Sequence, residues 1–338
     1  MYKSKDNINL KDYNTFGVDV TASVFVEFDN EKELIDNITN NNKDKCIPTL
    51  ILGGGSNILF TKSFTGIVYH PLINKINIIK EDSESVLIKC GCGVVWDDYV
   101  KFCVENNFYG LENLSLIPGN VGAAPVQNIG AFGVEVKDFI VKVETINLQT
   151  GKTQEFSNKD CQFSYRNSIF KFPENSSKYL ITYVTFNLSK KANFTTHYGN
   201  IENELQKFDT VNLNNIRQAI INIRQKKLPD PNEIGSAGSF FKNPVISKEK
   251  AEIIIKEHPS IPYYNEGNKI KLAAGWMIEQ CGWKGYRIGD AGVHKNQALV
   301  LVNYGNATGK EILDLSKKIQ ASVNDKFGIL LEPEVRII

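Results

Sequence analysis

Residues 118–133 form an uncharged segment, PGNVGAAPVQNIGAFG, in which no apolar period of 3.6 or 2 predicts a helix or a strand. Its glycines permit positive φ and close approach to the backbone, while Pro118 and Pro125 fix φ and stiffen it. Backbone N–H groups presented in this way suit a phosphate. The segment is either a ligand cradle or a tight connection between elements, and its length without regular structure favours the cradle.

Composition indicates a globular protein of about two or three domains, because 338 residues with 42% hydrophobic content allow a sizeable core. The net charge of +1 gives no electrostatic footprint for nucleic acid or a membrane surface, so neither is expected as a partner. No apolar run approaches the length of a membrane span, and the N-terminus lacks the apolar core of a signal peptide. We therefore expect a cytoplasmic location.

The residues that commonly bind metals are scattered, so no metal site is expected. The six cysteines, at positions 46, 90, 92, 103, 161 and 281, lack metal-ligand spacing and are predicted to be reduced structural thiols. A Rossmann fingerprint, a Walker loop and a Gly-x-Ser-x-Gly elbow are also absent from the sequence. These absences argue against the common nucleotide-binding motifs and against a serine hydrolase.

Hydrophobic periodicity predicts an α+β chain in which strands dominate the middle. The predicted strands are 23–28, 49–52, 76–80, 85–92, 142–148, 152–156, 179–188, 296–302 and 335–338. Strands 76–80 and 85–92 are expected to pair across an Asp/Ser turn, and strands 142–148 and 152–156 across Gln149-Thr150-Gly151. The predicted helices are 31–42, 96–106, 213–227, one capped by Ser247 and ending near His258, 272–281, and one opened by the Thr308–Glu311 capping box. Leu228-Pro229-Asp230-Pro231 ends a helix and marks a domain boundary.

Four further motifs combine polar groups with restricted backbone. Gly53-Gly54-Gly55-Ser56-Asn57 follows a predicted strand, where a backbone loop is able to face a ligand. Ser239 lies between small residues and two phenylalanines, which suits either a rigid reactive serine or a capped turn. Arg166, in YRNS, suits either an oxyanion or a surface salt bridge. Glu334, in EPEVR, belongs to a polar site or to an exposed edge strand.

Taken together, these motifs resemble one family, the bacterial UDP-N-acetylenolpyruvoylglucosamine reductases. The resemblance covers nearly the whole chain and becomes specific because many motifs occur in order. They are NTFGV at 14–18, ILGGGSNILF at 51–60, GLENLSLIPGNVGAAPVQNIGAFGVEV at 110–136, YRNSIFK at 165–171, KLPDP at 227–231, GSAGSFFKNP at 235–244, AAGWMIEQCGWKG at 273–285, NQALVLVN at 296–303 and LEPEVR at 331–336.

The resemblance implies non-covalently bound FAD in a fold of the vanillyl-alcohol-oxidase type. It implies FAD-binding subdomains at 1–70, which 333–338 rejoins, and at 71–226, and a small α/β substrate-binding domain at 227–332. The implied cofactor-binding residues are Gly53, Gly54, Gly55, Ser56, Asn57, Pro118, Gly119, Gly122, Ala123, Gln127, Asn128, Gly130 and Ala131.

The resemblance also implies ping-pong chemistry with NADPH as the reductant and the enolpyruvyl ether of UDP-N-acetylglucosamine as the substrate. Arg166 and Glu334 would contact the enolpyruvyl carboxylate, and Ser239 would protonate C2. Substrate-binding positions fall on Tyr198, which matches the tyrosine of the longer subclass, and on Lys227, Asn243 and Gln297.

Two positions depart from the family pattern, namely Asn167, where aspartate is usual, and Ser236, where asparagine is frequent. Asn167 would alter the orientation of Arg166. Two other hypotheses remain at this point. One is another FAD-dependent oxidase or dehydrogenase of the same fold, and the other is a sugar-nucleotide-binding protein without flavin chemistry. Flavin absorbance of the purified protein separates the flavoenzymes from the third hypothesis.

Overall fold

The structure is a computed structural model that describes residues 2–40 and 47–338, with Asn40 described in its backbone only. Cys46 and the last two residues of the predicted helix 31–42 lie outside the described residues. The other five cysteines are free thiols, four of them buried, as a structural role requires. Within the described ranges, no helix is long and apolar enough to cross a membrane.

Strands and helices alternate irregularly along the described ranges. The strands are β1 (Tyr2–Asn9), β2 (Thr21–Phe28), β3 (Thr49–Ile51), β4 (Ile58–Leu59), β5 (Phe64–Pro71), β6 (Ile76–Glu81), β7 (Ser85–Gly91), β8 (Gly130–Ala131), β9 (Val134–Glu135), β10 (Ile140–Asn147), β11 (Thr153–Ser157), β12 (Tyr179–Ser189), β13 (Gly235–Ser239), β14 (Val245–Ser247), β15 (Tyr263–Glu266), β16 (Lys269–Leu272), β17 (Arg287–Ile288), β18 (Ala291–Val293), β19 (Val300–Asn303) and β20 (Arg336–Ile337). The α-helices are α1 (Glu31–Asn40), α2 (Trp96–Glu105), α3 (Ile201–Leu205), α4 (Leu213–Lys227), α5 (Lys248–Glu257), α6 (Ala274–Gln280) and α7 (Gly309–Phe327).

The chain forms two compact units, each assembled from three separate stretches. The first unit takes the described residues of 1–8, 22–54 and 64–224, and the second takes 9–21, 55–63 and 225–338. The predicted division into two FAD-binding subdomains and a substrate domain stays a prediction.

Among the described residues, the first unit contains two larger sheets of different character and the small β8-β9 hairpin. In the sheet ordered β1-β2-β5-β3, β5 pairs in parallel with both β2 and β3. The sheet ordered β11-β10-β12-β7-β6 is antiparallel, and its two outer hairpins are the ones that the sequence predicts. Helix α2 buries an apolar face, and the rings of Trp96 and Tyr99 lie 6.2 Å and 5.0 Å from that of Phe186. This core supports the loops that follow α2.

The second unit is built on two small antiparallel sheets, ordered β13-β19-β18-β17 and β14-β16-β15. A parallel pair joins β20 to β4, so the last strand pairs with residues 58–59. Helix α7 opens with the predicted capping box, in which Thr308 Oγ1 accepts from Glu311 N and Glu311 accepts from Thr308 N. It ends at Gly328 in the left-handed conformation.

Two predicted boundaries are wrong. The predicted helix 272–281 begins only at Ala274, because Leu272 ends β16 and pairs with Tyr263. The predicted strand 296–302 begins only at Val300, because a turn bonds Val300 N to Gln297 O. In both cases the apolar pattern continues across the boundary between two elements, and the hydrogen bonds of a hairpin or a turn set the position of that boundary.

Candidate active site

Within the first unit, the glycine-rich segment 118–133 lies beside residues 92–96, where the chain passes from β7 into α2. Trp96 N donates to Gly119 O at 2.9 Å, and Gly122 N donates to Cys92 O at 3.0 Å. A Cβ added at Gly122 would lie 2.5 Å from Cys92 Cβ, so this glycine is required for packing. The segment is therefore held to the core through its backbone, as a rigid support for a ligand must be.

Two predicted cofactor loops touch within the first unit. A Cβ added at Gly54 would lie 2.7 Å from Asn120 Oδ1 and 3.1 Å from Gly119 Cα. Across the described residues, no acceptor takes the backbone N–H of Gly53, Gly54, Gly119 or Asn120. Four adjacent donors on glycine-rich backbone fit a diphosphate group, which accepts several hydrogen bonds at close range.

Arg166 sits in a tight turn with strained backbone. Ser164 and Asn167 exchange backbone hydrogen bonds of 3.0 and 3.1 Å, and Arg166, inside that turn, has a φ of +52°. A non-glycine residue seldom adopts this conformation, and such residues concentrate at functional sites. The guanidinium Nη2 donates to Gly130 O at 2.7 Å, which brings this predicted catalytic residue to the glycine-rich segment.

Tyr198 contacts the same segment from a different part of the chain. A Cβ added at Gly133, whose φ is +82°, would lie 3.3 Å from Tyr198 Cδ2. The buried Asn113 links the two segments that make this contact, since its Nδ2 donates to Phe132 O at 3.0 Å and to Thr195 O at 2.8 Å. The first unit thus gathers Arg166, Tyr198 and the glycine-rich segment.

The sequence motifs do not predict a network of charged side chains that bonds to the backbone of Leu116. Asp97 accepts two hydrogen bonds from Arg217 at 2.7 and 2.8 Å and a third from Leu116 N. Arg224 Nε donates to Leu116 O at 3.2 Å. Burial lowers the pKa of Arg224 to about 10, Asp97 opposes that shift and nearby Arg166 adds to it. The sequence does carry a signal for this network, because Arg217 and Arg224 are seven residues apart and therefore lie on the same face of α4, two turns from each other.

In the second unit, the backbone immediately after Ser239 pairs with the segment that carries Glu334. Glu334 N donates to Phe240 O at 2.7 Å, and Lys242 N donates to Glu332 O at 2.9 Å. Asn57, from the GGGSN motif, flanks the same segment, since its Nδ2 donates to Glu334 O at 3.3 Å. Three predicted site residues are therefore neighbours here.

Two predicted substrate-binding residues meet at the start of α6 in the second unit. Asn243 Oδ1 accepts from Ala274 N at 3.0 Å. A Cβ added at Gly275 would lie 3.1 Å from Gln297 Oε1. The third, Lys227, is exposed at the end of α4.

The remaining predicted cofactor-binding residues divide between the units. In the second unit, Gly55 has a φ of +61° and a Cβ there would lie 2.0 Å from Tyr13 O, so only glycine fits, and Ser56 follows it half-buried. In the first unit, Pro118 and Ala123 are exposed, whereas Gln127, Gly130 and Ala131 are half-buried. Asn128 is fully buried. The roles of these residues in cofactor binding stay predictions.

Comparison with known proteins finds two family models that match successive parts of the chain. Residues 22–157 match the family model of an FAD binding domain, and residues 230–338 match that of the UDP-N-acetylenolpyruvoylglucosamine reductase C-terminal domain. The chain is 49% identical over 331 residues to the UDP-N-acetylenolpyruvoylglucosamine reductase of Bacteroides fragilis strain YCH46, covering 98% of each chain. It is 48% identical over 338 residues to the enzyme of that name from Flavobacterium johnsoniae, covering 99% of each chain.

The chain belongs to the UDP-N-acetylenolpyruvoylglucosamine reductase family. The family is one of FAD-dependent oxidoreductases of peptidoglycan synthesis, so the predicted cofactor and enzyme class are confirmed. A crystal structure of this reductase from Thermus caldophilus shares the fold, with a TM-score of 0.70 at 23% identity, and covers 100% of this chain and 99% of its own. The predicted α+β fold of the FAD-binding type is thereby confirmed.

Proposed function

We propose that this chain transfers reducing equivalents from NADPH to the enolpyruvyl ether of UDP-N-acetylglucosamine and so forms UDP-N-acetylmuramate. The observation that carries the proposal is Arg166, whose strained turn and hydrogen bond to Gly130 O hold a fixed positive charge at the glycine-rich segment. A fixed cation is needed where negative charge develops in the reaction.

The touching loops of the first unit are the proposed holding site for FAD. Gly53, Gly54, Gly119 and Asn120 offer their backbone N–H groups to its diphosphate. Bound FAD supplies a two-electron carrier that accepts hydride from NADPH and later delivers hydride to the substrate. The loop residues bind and orient, and because they carry no titratable side chain they take no part in proton transfer.

Arg166 acts on the substrate by charge. When hydride adds to the vinyl carbon C3, the C2=C3 electron pair moves onto C2 and is delocalised into the carboxylate. The guanidinium donates hydrogen bonds to that carboxylate and stabilises the added charge more in the transition state than in the ground state. Glu334 contacts the same carboxylate in this proposal, and its backbone bond to Phe240 fixes the segment that carries it.

Ser239 completes the addition by protonating C2 through its hydroxyl group. Ser239 is half-buried, and no hydrogen bond to another described residue occupies its hydroxyl, so the hydroxyl is available as a donor. Placing the proton donor on β13, a strand paired with β19, restricts its motion. Tyr198, Lys227, Asn243 and Gln297 are proposed to bind the nucleotide and sugar, supported by the contacts of Tyr198 with Gly133 and of Asn243 and Gln297 with α6.

The test separates the two half-reactions under anaerobic conditions. NADPH is expected to bleach the flavin absorbance, and the enolpyruvyl sugar nucleotide is expected to restore it. Ser239→Ala should leave bleaching within about threefold of wild type and slow restoration by at least about 100-fold, the lower end of what a general acid contributes. Ser236→Ala, a buried serine on the same strand, is the matched control and should alter neither rate.

Two results would reject the proposal. Flavin that NADPH bleaches but the sugar nucleotide never restores means that another acceptor is used. Equal losses of both half-reactions in Ser239→Ala mean that Ser239 supports the fold instead of donating the proton.

A further inference from the structure

Asn128 lies at the centre of a hydrogen-bond network that surrounds Arg166. Its side chain is 0% exposed, and its φ is +49°. Its Nδ2 donates to Glu135 Oε2 at 3.1 Å and to Ser164 O at 3.1 Å, while its Oδ1 accepts from Lys137 N at 3.1 Å. A side-chain amide nitrogen carries two protons, and here both have acceptors within the protein.

The two donated bonds reach the two segments that hold Arg166. Ser164 opens the turn that contains Arg166 and sets its backbone. Glu135 pairs with Gly130 in the small β8–β9 hairpin, and Gly130 O is the acceptor for the guanidinium. Asn128 therefore joins the segment that carries the arginine to the segment that receives its side chain.

We propose that Asn128 is a positioning residue for Arg166 and does not itself bind the cofactor. The inference rests on the proposed function, in which the Arg166 guanidinium stabilises charge on the substrate carboxylate. Asparagine suits the role because it tolerates the left-handed conformation and supplies two donors and an acceptor from one short side chain. Full burial with all donors satisfied leaves no side-chain proton for a ligand.

Asn128→Asp isolates the two donors. The variant keeps the size of the side chain, its tolerance of positive φ and the acceptor for Lys137 N. An oxygen replaces the nitrogen that faced Glu135 and the Ser164 carbonyl, so both attractions become repulsions. The turn and the hairpin should separate, and a displacement of about 1 Å at a reacting group costs on the order of 100-fold in rate.

The experiment compares half-reactions in wild type, Asn128→Asp, Arg166→Ala and the double variant. In Asn128→Asp, reoxidation of the flavin by the sugar nucleotide should fall about 10- to 100-fold, and at least tenfold more than reduction by NADPH. FAD content per chain should stay that of wild type. In the Arg166→Ala background, Asn128→Asp should cause no further loss of reoxidation rate, because the group that it positions is gone.

The control is Asn158→Ala. Asn158 also bridges two backbone carbonyls of the first unit, with bonds to Lys137 O at 2.7 Å and Ile140 O at 2.8 Å, but it does not contact the Arg166 turn. It should leave both half-reactions unchanged. Asn128→Gly, which also permits positive φ, repeats the comparison if the aspartate variant does not fold.

Several results would overturn the inference. They are loss of FAD from the variant, equal losses in both half-reactions, independent losses that multiply in the double variant, and failure of both Asn128 variants to fold while Asn158→Ala folds. A wild-type enzyme whose reduced flavin is never reoxidised by the sugar nucleotide would instead remove the proposed function, on which the inference rests, so the two failures are distinguishable.

Discussion

Gly54→Ala measures how closely the two cofactor loops of the first unit approach. The added methyl carbon would start 2.7 Å from Asn120 Oδ1 and 3.1 Å from Gly119 Cα, whereas ordinary contact begins at 3.4 Å. The Gly119 backbone must therefore retreat by about 0.3 Å, and the Asn120 side chain by about 0.7 Å. Both movements pull on bonds to the chain before α2, one from Trp96 N to Gly119 O and one from Asn120 Nδ2 to Gly93 O.

The expected cost follows from these contacts. Overpacking of this size costs about 1–3 kcal/mol, and loss of the hydrogen bond to Gly93 accounts for about 1 kcal/mol of that range. Gly53→Ala is the matched control, because its nearest atoms would lie at 3.7 Å, an ordinary contact. Both substitutions reduce the freedom of the unfolded chain equally, so the difference between the two variants reports the packing alone.

The assay is urea unfolding of the protein stripped of FAD, followed by titration with FAD. Gly54→Ala should unfold with about 1–3 kcal/mol less free energy than Gly53→Ala, and its FAD affinity should fall about 5- to 150-fold if the same strain is imposed on the bound state. Equal stability of the two variants would refute the reasoning, because the loops would then have room for a methyl group at Gly54.

Two further predictions concern charge and capping. Burial raises the pKa of Asp97, but hydrogen bonds from Arg217 and Leu116 outweigh burial and hold the pKa below its ordinary value. Asp97→Asn should therefore destabilise the protein by about 1–3 kcal/mol at pH 7. This difference in urea unfolding should begin to shrink as pH falls below about 4, where Asp97 of the unfolded chain takes up a proton, and should disappear only below the lower pKa of the folded carboxylate. A constant difference down to pH 2 would contradict this. Thr308→Ala removes the acceptor for Glu311 N and should cost about 1 kcal/mol, whereas Thr308→Ser should cost less than half as much. An alanine variant as stable as wild type would show that α7 does not depend on its cap.

Local patterns predicted the elements whose ends carry their own chemical stop signals. Helix α4 has the predicted bounds, 213–227, because an apolar face runs into Leu228-Pro229. The capping box of α7 and the hairpin of β10 and β11 were likewise predicted, since each depends on residues close in sequence. The cofactor and the fold type followed from the resemblance of many ordered motifs, not from periodicity.

Contacts between distant residues account for what the sequence did not predict. Asp97 and Arg217 are separated by 120 positions, so no local pattern reports their pairing. Arg166 has a left-handed backbone inside a turn that begins at Ser164. Ser164 O accepts a hydrogen bond from Asn128, which lies 36 residues earlier in the chain. The start of α6 is an exception, because the contact that excludes Leu272 from the predicted helix is local, a short hairpin in which Leu272 pairs with Tyr263.

The interleaving of the two units along the chain has a consequence for biosynthesis. Residues 9–21 leave the ribosome before most of the first unit exists, yet they belong to the second, whose other stretches include 225–338. Strand β4 must likewise wait for β20, whose residues are translated 278 positions after their partners (Ile58 to Arg336). At about 5–20 residues per second, that delay lasts on the order of tens of seconds, during which apolar early segments lack their partners and are exposed to aggregation and chaperones.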